Sequence, residues 1–135
     1  MIPVKKIMTK EVVTVKTDTR IIDALNLLTK NEISGLPVVD ENMHLVGILT
    51  EKDVLRILLN SNVSTKATVS EFMSRKVTSF KEDDNVTDVC TFFIKNPIRR
   101  VPIVRDKKVI GIVSRRDIIK LILEARNEIF DFRFN

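Results

Sequence analysis

Two short motifs of the chain pair a hydroxyl with a carboxylate three residues later. Thr50 is followed by Asp53, and Ser114 is followed by Asp117. If each motif opens a helix, its hydroxyl and the free backbone N–H groups can bind an anion such as phosphate. The carboxylate can accept hydrogen bonds from both hydroxyls of a ribose. The same spacing is close to a capping box, in which the two side chains only satisfy the helix end. The motifs alone therefore leave binding and capping open.

Arginines accompany only the second motif. It contains Arg115-Arg116 and follows Arg99-Arg100, whereas the corresponding places near the first motif hold Glu51-Lys52 and Ser34-Gly35. The net charge of +5 lies entirely in the second half of the chain. Arginine suits bidentate recognition of phosphate, which indicates a phosphate or polyanion site, although a solvated basic surface is the alternative. We expect the second site to take the more phosphorylated or tighter ligand, and the first to be empty or to take a less charged one.

The elements that must position these motifs occur twice. Val4–Leu58 aligns with Val69–Ile122 with one single-residue gap, and a repeat of about 65 residues is too long for a solenoid unit. Each half reads as β-α-β-β-α, which predicts an α/β (α+β) fold of two tandem units, residues 1–62 and 69–124, with a C-terminal tail at 125–135. Units of this size have marginal cores when alone, so we expect them to pack as a pseudo-two-fold pair with a ligand-sized cleft between them.

Local signals predict the start of each unit. The segments 12–15 and 77–80 are rich in residues that favour strands, and Asp18 and Asp83 stand where the next helix needs an N-cap. Helical spacing predicts a buried face on each of these helices. The faces consist of Ile21, Ile22, Leu25 and Leu28 in the first helix and of Val86, Val89, Cys90 and Phe93 in the second.

Two further segments have recognisable patterns. A strand around a proline follows each helix, at Leu36–Val39 and Val101–Val104. Because proline cannot donate to a sheet, we expect this strand to begin, or to lie at an edge, there. The tail alternates Phe130, Phe132 and Phe134 with charged residues. This pattern predicts a short strand or an extended arm packed on a partner subunit or on the first half, with disorder as the alternative.

Other chemistry has little support in the sequence. His44 and Cys90 are the only residues of their types, too few for a usual zinc site, and the three glycines form no phosphate-binding loop. We expect Cys90 to be a small core residue, with a reactive thiol as the alternative. No apolar run is long enough to cross a bilayer and no signal peptide is visible. We therefore expect a non-catalytic, metal-free protein of the reducing cytoplasm.

The repeated unit resembles the CBS domain, named after cystathionine β-synthase. The resemblance rests on the proline strands and on two motifs that follow them at the same distance, Gly47-Ile48-Leu49-Thr50-Glu51-Lys52-Asp53 and Gly111-Ile112-Val113-Ser114-Arg115-Arg116-Asp117. It implies a stand-alone CBS pair, or Bateman module. Such a pair binds an adenine nucleotide (AMP, ADP or ATP) or a related adenosyl compound between its repeats, needs no cofactor, forms a homodimer and regulates a partner protein.

The resemblance also implies roles for individual residues. Asp53 or Asp117 meets the ribose, and Thr50 or Ser114 meets the phosphate, to which the hypothesis above adds Arg99, Arg100, Arg115 and Arg116. The adenine slot is formed by the first strand and the proline strand of a unit. Its residues are Val13, Thr14, Val15, Leu36 and Pro37 in the first half and Thr78, Ser79, Phe80, Val101 and Pro102 in the second. Plain core packing is the alternative for each apolar residue of the slot.

Two rival functions remain open. The basic second half is compatible with nucleic-acid binding, although aromatic residues are few and the sequence has no nucleic-acid motif. A ligand-free interaction module that regulates a partner enzyme or transporter is the other candidate. Salt-dependent binding of RNA or DNA would favour the first rival, and dimers that never contain a nucleotide would favour the second.

Overall fold

The computed structural model describes residues 1–60 and 62–131, and the two repeats within it have the same order of elements. The first repeat consists of β1 (Val15–Lys16), α1 (Ile21–Lys30), β2 (Gly35–Val39), β3 (Leu45–Thr50) and α2 (Glu51–Leu55). The second consists of β4 (Phe80–Lys81), α3 (Val86–Lys95), β5 (Arg100–Arg105), β6 (Lys108–Ser114) and α4 (Arg115–Glu124). Short 3₁₀ turns at Val4–Lys6 and Val69–Glu71 open the two repeats, and another at Arg56–Leu59 continues α2. The predicted α/β fold of two β-α-β-β-α units is confirmed.

Each repeat contains a three-stranded sheet whose central strand carries the proline. In the first sheet β2 pairs with β1 in parallel and with β3 in antiparallel fashion, and β5 occupies the same place between β4 and β6. The proline strand is therefore a central strand, and the predicted edge occurs only at the proline itself. Proline is tolerated because the parallel ladder starts one residue later, at Val38 and at Ile103, so that Pro37 and Pro102 have a strand partner on one side only.

The first strand of each repeat is shorter than the sequence predicts. Only Val15–Lys16 and Phe80–Lys81 pair with the central strands. The residues before them, 12–14 and 77–79, have no regular secondary structure. The expected N-caps are also wrong, because a tight turn separates strand from helix. Helix α1 follows Arg20 and α3 follows Asn85, whose side-chain oxygen accepts the N–H of Thr87 at 3.1 Å.

The aspartates expected at these caps have other places. Asp83 instead forms an ion pair with Lys5, 2.9 Å from its Nζ, and Asp18 lies in the turn between β1 and α1. Within each turn a different side chain binds the end of the strand. Thr19 Oγ1 accepts the N–H of Lys16 at 2.9 Å, and Asp84 Oδ2 accepts the N–H of Lys81 at 2.7 Å.

Two apolar cores form, one beneath each sheet, and each includes a residue from the start of the other repeat. The first core contains Ile21, Ala24, Leu28, Leu36 and Leu49 together with Val69, and the second contains Val86, Val89, Phe93, Val101 and Val113 together with Val4. The predicted helix faces are largely confirmed. Ile22 is the exception, because it is 41% exposed and Ala24 occupies the buried position.

The exchange of the lead-in segments is reciprocal. Thr9 bridges to Ile112 in β6, and Ser74 bridges to Ile48 in β3. The N–H of Val4 donates to Asp84 at 2.8 Å, and the N–H of Val69 donates to Thr19 at the same distance. Reciprocal contacts of this kind are those of two like units related by an approximate two-fold axis. Neither core is completed by its own repeat alone, as the small size of each unit led us to expect.

The C-terminal segment does not continue as a strand over its described part. A π-helical turn spans Asn127–Asp131 and contains Phe130, so the strand or arm predicted for the tail is wrong at that residue. Phe132 and Phe134 lie outside the described residues. Among residues 1–60 and 62–131, no helix combines the length and apolar character that a bilayer crossing requires.

Candidate ligand-binding cleft

Both hydroxyl–carboxylate motifs form capping boxes at the start of a helix. Asp53 Oδ2 accepts the backbone N–H of Thr50 at 2.8 Å and its hydroxyl at 2.9 Å. Asp117 Oδ2 accepts the N–H of Ser114 at 2.8 Å and its hydroxyl at 3.1 Å. The strand ends where its last residue turns to cap the helix, which fixes each carboxylate beside the helix N-terminus. Each capping contact uses Oδ2, and within the described residues Oδ1 of Asp117 accepts no hydrogen bond.

The second motif faces a cleft that is formed jointly by the two repeats. This cleft has a volume of about 260 Å³, and we call it the inner cleft. Ser114 and Asp117 line it from the second repeat, and Val13, Ile33 and Gly35 line it from the first. The short first strand explains this arrangement, because the residues before β1 are not held in the sheet and pass between the repeats instead.

A larger cleft of about 780 Å³ adjoins the inner one, and we call it the outer cleft. Ile33, Arg100 and Ser114 line both clefts, which makes them parts of one continuous site. The outer cleft is bounded by helices α1 and α2 of the first repeat and by the start of α4. Its charged lining residues are Glu32, Glu51, Arg99, Arg100, Arg115 and Arg116. The N-terminus of the ten-residue helix α4 adds a partial positive charge.

Arg100 stands at the junction of the two clefts and lacks a partner for part of its guanidinium. Its Nε is buried and makes no hydrogen bond to the described residues. Burial lowers the pKa of Arg100, while Asp117 and Glu51 raise it by attraction and Arg116 lowers it by repulsion. Arginine nevertheless stays protonated at any physiological pH. The result is a positive charge at the junction of the two clefts, held by a guanidinium whose Nε is buried without a partner among the described residues.

Arg115 is held differently from its neighbours. Its guanidinium donates to the carbonyl oxygens of Phe93 and Asn96, both at 2.8 Å, and to that of Ile98 at 3.1 Å. It also lies over the ring of Phe93, 5.7 Å from the centroid. These contacts close the C-terminal end of α3, where backbone carbonyls lack helical partners. Of the four arginines proposed for phosphate, Arg99, Arg100 and Arg116 thus have more freedom to meet a ligand.

The first motif lies in a different environment. Asp53 is only 8% exposed, and neither Thr50 nor Asp53 lines the inner or the outer cleft. The residue that corresponds to Arg100 is Gly35, which brings no side chain or charge. The two motifs therefore share their capping geometry but differ in their access to the clefts and in the charge beside them. The second motif is the one with arginines nearby, as the sequence indicates.

The residues predicted for the adenine slot are not gathered in one place. Val13 alone among them lines the inner cleft, whereas Val15, Leu36, Pro37, Val101 and Pro102 are buried in or beside the cores. For these five residues core packing describes the observed surroundings. Thr14 and Phe80 are half-buried and Thr78 is exposed. Ser79 lines a separate cleft beside the hairpin of His44.

Several residues of the site were missed from the sequence. Ile33 and Ile112 offer the inner cleft apolar surface, and Glu51 faces the arginines of the outer cleft. Local patterns do not show that the segment before β1 passes to the other repeat. That passage brings Val13 of the first repeat beside Ser114 and Asp117 of the second. No group of three or more His, Cys, Asp or Glu residues that could hold a metal ion occurs among the described residues.

Comparison with known proteins places the chain in one family. The family model of the CBS domain matches it twice, over residues 4–60 and 69–124. L-aspartate semialdehyde sulfurtransferase of Methanocaldococcus jannaschii is 38% identical over 119 residues, which are 87% of this chain and 23% of that protein. An uncharacterised protein of the same organism is 31% identical, with 89% of this chain and 90% of that protein covered. The chain spans 42% of a further such relative.

Solved structures give the same result. The CBS domain pair of protein MJ0100, in complex with 5′-methylthioadenosine and S-adenosyl-L-methionine, matches with a TM-score of 0.79 and 36% identity, covering 92% of this chain and 98% of that one. CBSX2, a CBS-pair protein of Arabidopsis thaliana, in complex with AMP, matches with a TM-score of 0.82 and 28% identity, with the same coverage. With two matched repeats that together span most of its length, the chain belongs to the CBS domain family.

Proposed function

We propose that the chain is a regulatory, non-catalytic module that senses an adenine nucleotide or a related adenosyl compound in the cleft between its repeats. The observation that carries this proposal is the joint lining of one continuous site by Asp117, Ser114 and Arg100. A carboxylate, a helix N-terminus and a guanidinium are groups that suit a ribose and a phosphate. The AMP complex of CBSX2 and the adenosyl complexes of MJ0100 support the class of ligand.

The two clefts suit different parts of a nucleotide. The inner cleft offers apolar surface from Val13, Ile33 and Ile112 to the adenine, and in this proposal Asp117, which lines the same cleft, accepts the ribose hydroxyls through Oδ1. From there the phosphate points past Ser114 into the outer cleft, toward Arg100 and Arg116. Capping and ligand binding coexist in this arrangement, because the cap uses Oδ2 of Asp117 and leaves its Oδ1 for the ribose.

Binding is unequal at the two motifs in this proposal. Calorimetric titration with AMP, ADP and ATP tests it on Asp117→Asn and Asp53→Asn, which remove one charge each without changing the side-chain shape. We expect Asp117→Asn to weaken nucleotide binding at least about tenfold, because a charge-assisted hydrogen bond is lost. Asp53→Asn should have little effect on binding. An equal loss from both variants would contradict the asymmetry, and no titration signal for the unmodified protein would contradict nucleotide binding itself.

The absorption spectrum gives an independent test. The chain contains no Trp and no Tyr, so a nucleotide that copurifies with it would dominate absorption near 260 nm. Mass spectrometry of the supernatant after denaturation would then identify the compound. A spectrum without such absorption, together with no response to added nucleotide, would leave the ligand-free interaction module as the better description.

We also propose that the module is a homodimer that contacts itself through its helices. Ile94 on α3, Ile119 and Leu123 on α4, and Leu58 and Leu59 after α2 are all more than half exposed. Apolar side chains concentrated on helices of both repeats indicate a covered surface. Light scattering should give the dimer mass for the unmodified protein and a lower mass for Ile119→Glu. Lys81→Glu, on β4, serves as the control, and an unchanged mass for Ile119→Glu would exclude this face.

A further inference from the structure

The outer cleft contains carboxylates as well as arginines. Glu51 is the first residue of α2, and Glu32 follows α1, so both come from the first repeat and face the arginines of the second. Burial lowers the pKa of Arg100, and the charge of Glu51 opposes this shift, although less than that of Asp117 does. In the alignment of the repeats Glu51 corresponds to Arg115, so the two sides of this cleft carry opposite charges at equivalent positions.

The balance of these charges sets how much negative charge a ligand can bring. Four arginines and two glutamates line the outer cleft, which leaves two net positive charges there, increased by the partial charge at the N-terminus of α4. The inner cleft adds the carboxylates Glu11 and Asp117, so no positive charge is in surplus over the continuous site. A phosphate monoester carries about −1.5 to −2 charges near neutral pH. One such group neutralises the cleft. Each further phosphate adds negative charge to a cleft that also contains Glu32 and Glu51, and of the freer arginines only Arg99 is left to meet it.

We propose that Glu51, with Glu32, makes the cleft selective for a nucleoside monophosphate over the diphosphate and triphosphate. This inference rests on the proposed function, because it concerns the same site. The glutamates act as specificity-determining residues by repulsion, and the arginines supply the attraction. Discrimination by an unfavourable charge is a common route to specificity when the attractive contacts are shared by all the competing ligands.

The test compares affinities for AMP and ATP in matched variants. Glu51→Gln and the double variant Glu32→Gln/Glu51→Gln remove charge from the cleft, and Glu41→Gln, in the exposed hairpin turn and outside both clefts, removes the same charge elsewhere. Calorimetry at low ionic strength should show the unmodified protein binding AMP more tightly than ATP. We expect Glu51→Gln to reduce the ratio of the AMP affinity to the ATP affinity by about two- to fivefold for each extra unit of negative charge that ATP carries. This is the size of effect expected between the Glu51 carboxylate and a phosphate charge across an open cleft.

The outcomes separate this inference from the proposed function. A larger change in the double variant, no change in Glu41→Gln and a smaller effect at high salt would support charge selection. If the unmodified protein binds ATP as tightly as AMP, or if Glu51→Gln strengthens both equally, the inference is wrong while nucleotide sensing stands. If neither nucleotide binds the unmodified protein, both the proposed function and this inference fail.

Discussion

Gly47 lies directly against the backbone of Ser74, so that a β-carbon on Gly47 would come within 2.7 Å of the Ser74 carbonyl oxygen. Ile48 and Ser74 exchange two backbone hydrogen bonds of 2.9 Å at the same place. In the other repeat a β-carbon on Gly111 would lie 2.6 Å from the sulfur of Met8. The two motif glycines therefore exist for close approach, since none of the glycines has a positive φ. Each makes room for the lead-in segment that crosses from the opposite repeat.

Alanine at these two glycines should have unequal effects. Gly47→Ala meets a backbone oxygen that is held in a ladder, and we expect it to lower the free energy of unfolding by about 2 kcal/mol, as overpacking usually does. Gly111→Ala first meets the flexible side chain of Met8, so its cost should be smaller, about 1 kcal/mol or less. Urea denaturation followed by far-ultraviolet circular dichroism measures both. A larger loss for Gly111→Ala would contradict the geometry of the exchange.

The two capping aspartates should differ in their contribution to stability. Asp53 and Asp117 make equivalent hydrogen bonds, but Asp53 is the more deeply buried. Loss of a capping side chain costs about 1 kcal/mol, and a buried donor left without a partner adds to that cost. We expect Asp53→Ala to reduce the free energy of unfolding more than Asp117→Ala, by about 2 and 1 kcal/mol respectively. Equal losses would mean that burial of Asp53 has no energetic consequence.

Much of the fold could be predicted because the local signals agree with each other and occur twice. The spacing of Val86, Val89 and Phe93 predicts the buried face of α3 correctly. Ile22 is the exception in α1 because the buried face runs through Ile21, Ala24 and Leu28, and Ile22 lies about 100° around the helix from Ile21. The missing N–H of proline predicts an edge strand. The strand is central because the parallel ladder starts one residue after Pro37, a detail of register that residue types do not reveal.

The candidate site was less predictable, for a physical reason. Ser114, Asp117 and Arg100 could be found from residue types and spacing, and they line one continuous site. Val13 meets them only because its segment crosses to the other repeat, which depends on tertiary contacts such as that between Thr9 and Ile112. Long-range pairing of this kind leaves no periodic pattern in the sequence.

Arg115 and Arg116 should affect different properties although they are neighbours. Arg115 donates to three carbonyl oxygens at the end of α3, whereas the side chain of Arg116 makes no hydrogen bond within the described residues. We expect Arg115→Ala to lower the free energy of unfolding by about 1 to 2 kcal/mol, and Arg116→Ala to change it by less than about 0.5 kcal/mol. Arg116→Ala should instead weaken AMP binding in calorimetry. A stability loss from Arg116→Ala equal to that from Arg115→Ala would show that the carbonyl contacts have no special role.

Cys90 should react slowly with alkylating reagents in the folded protein. It packs against the second core, and burial raises the pKa of its thiol. Because the thiolate is the reactive form, a raised pKa leaves less of it at any pH below that value, and the rate should begin to rise only at higher pH than for a free cysteine. Alkylation by iodoacetamide at pH 8 should therefore be several-fold slower in the native protein than in urea, where the same residue is its own control. Equal rates in the two states would mean that water reaches the thiol freely and that Cys90 is not a core residue.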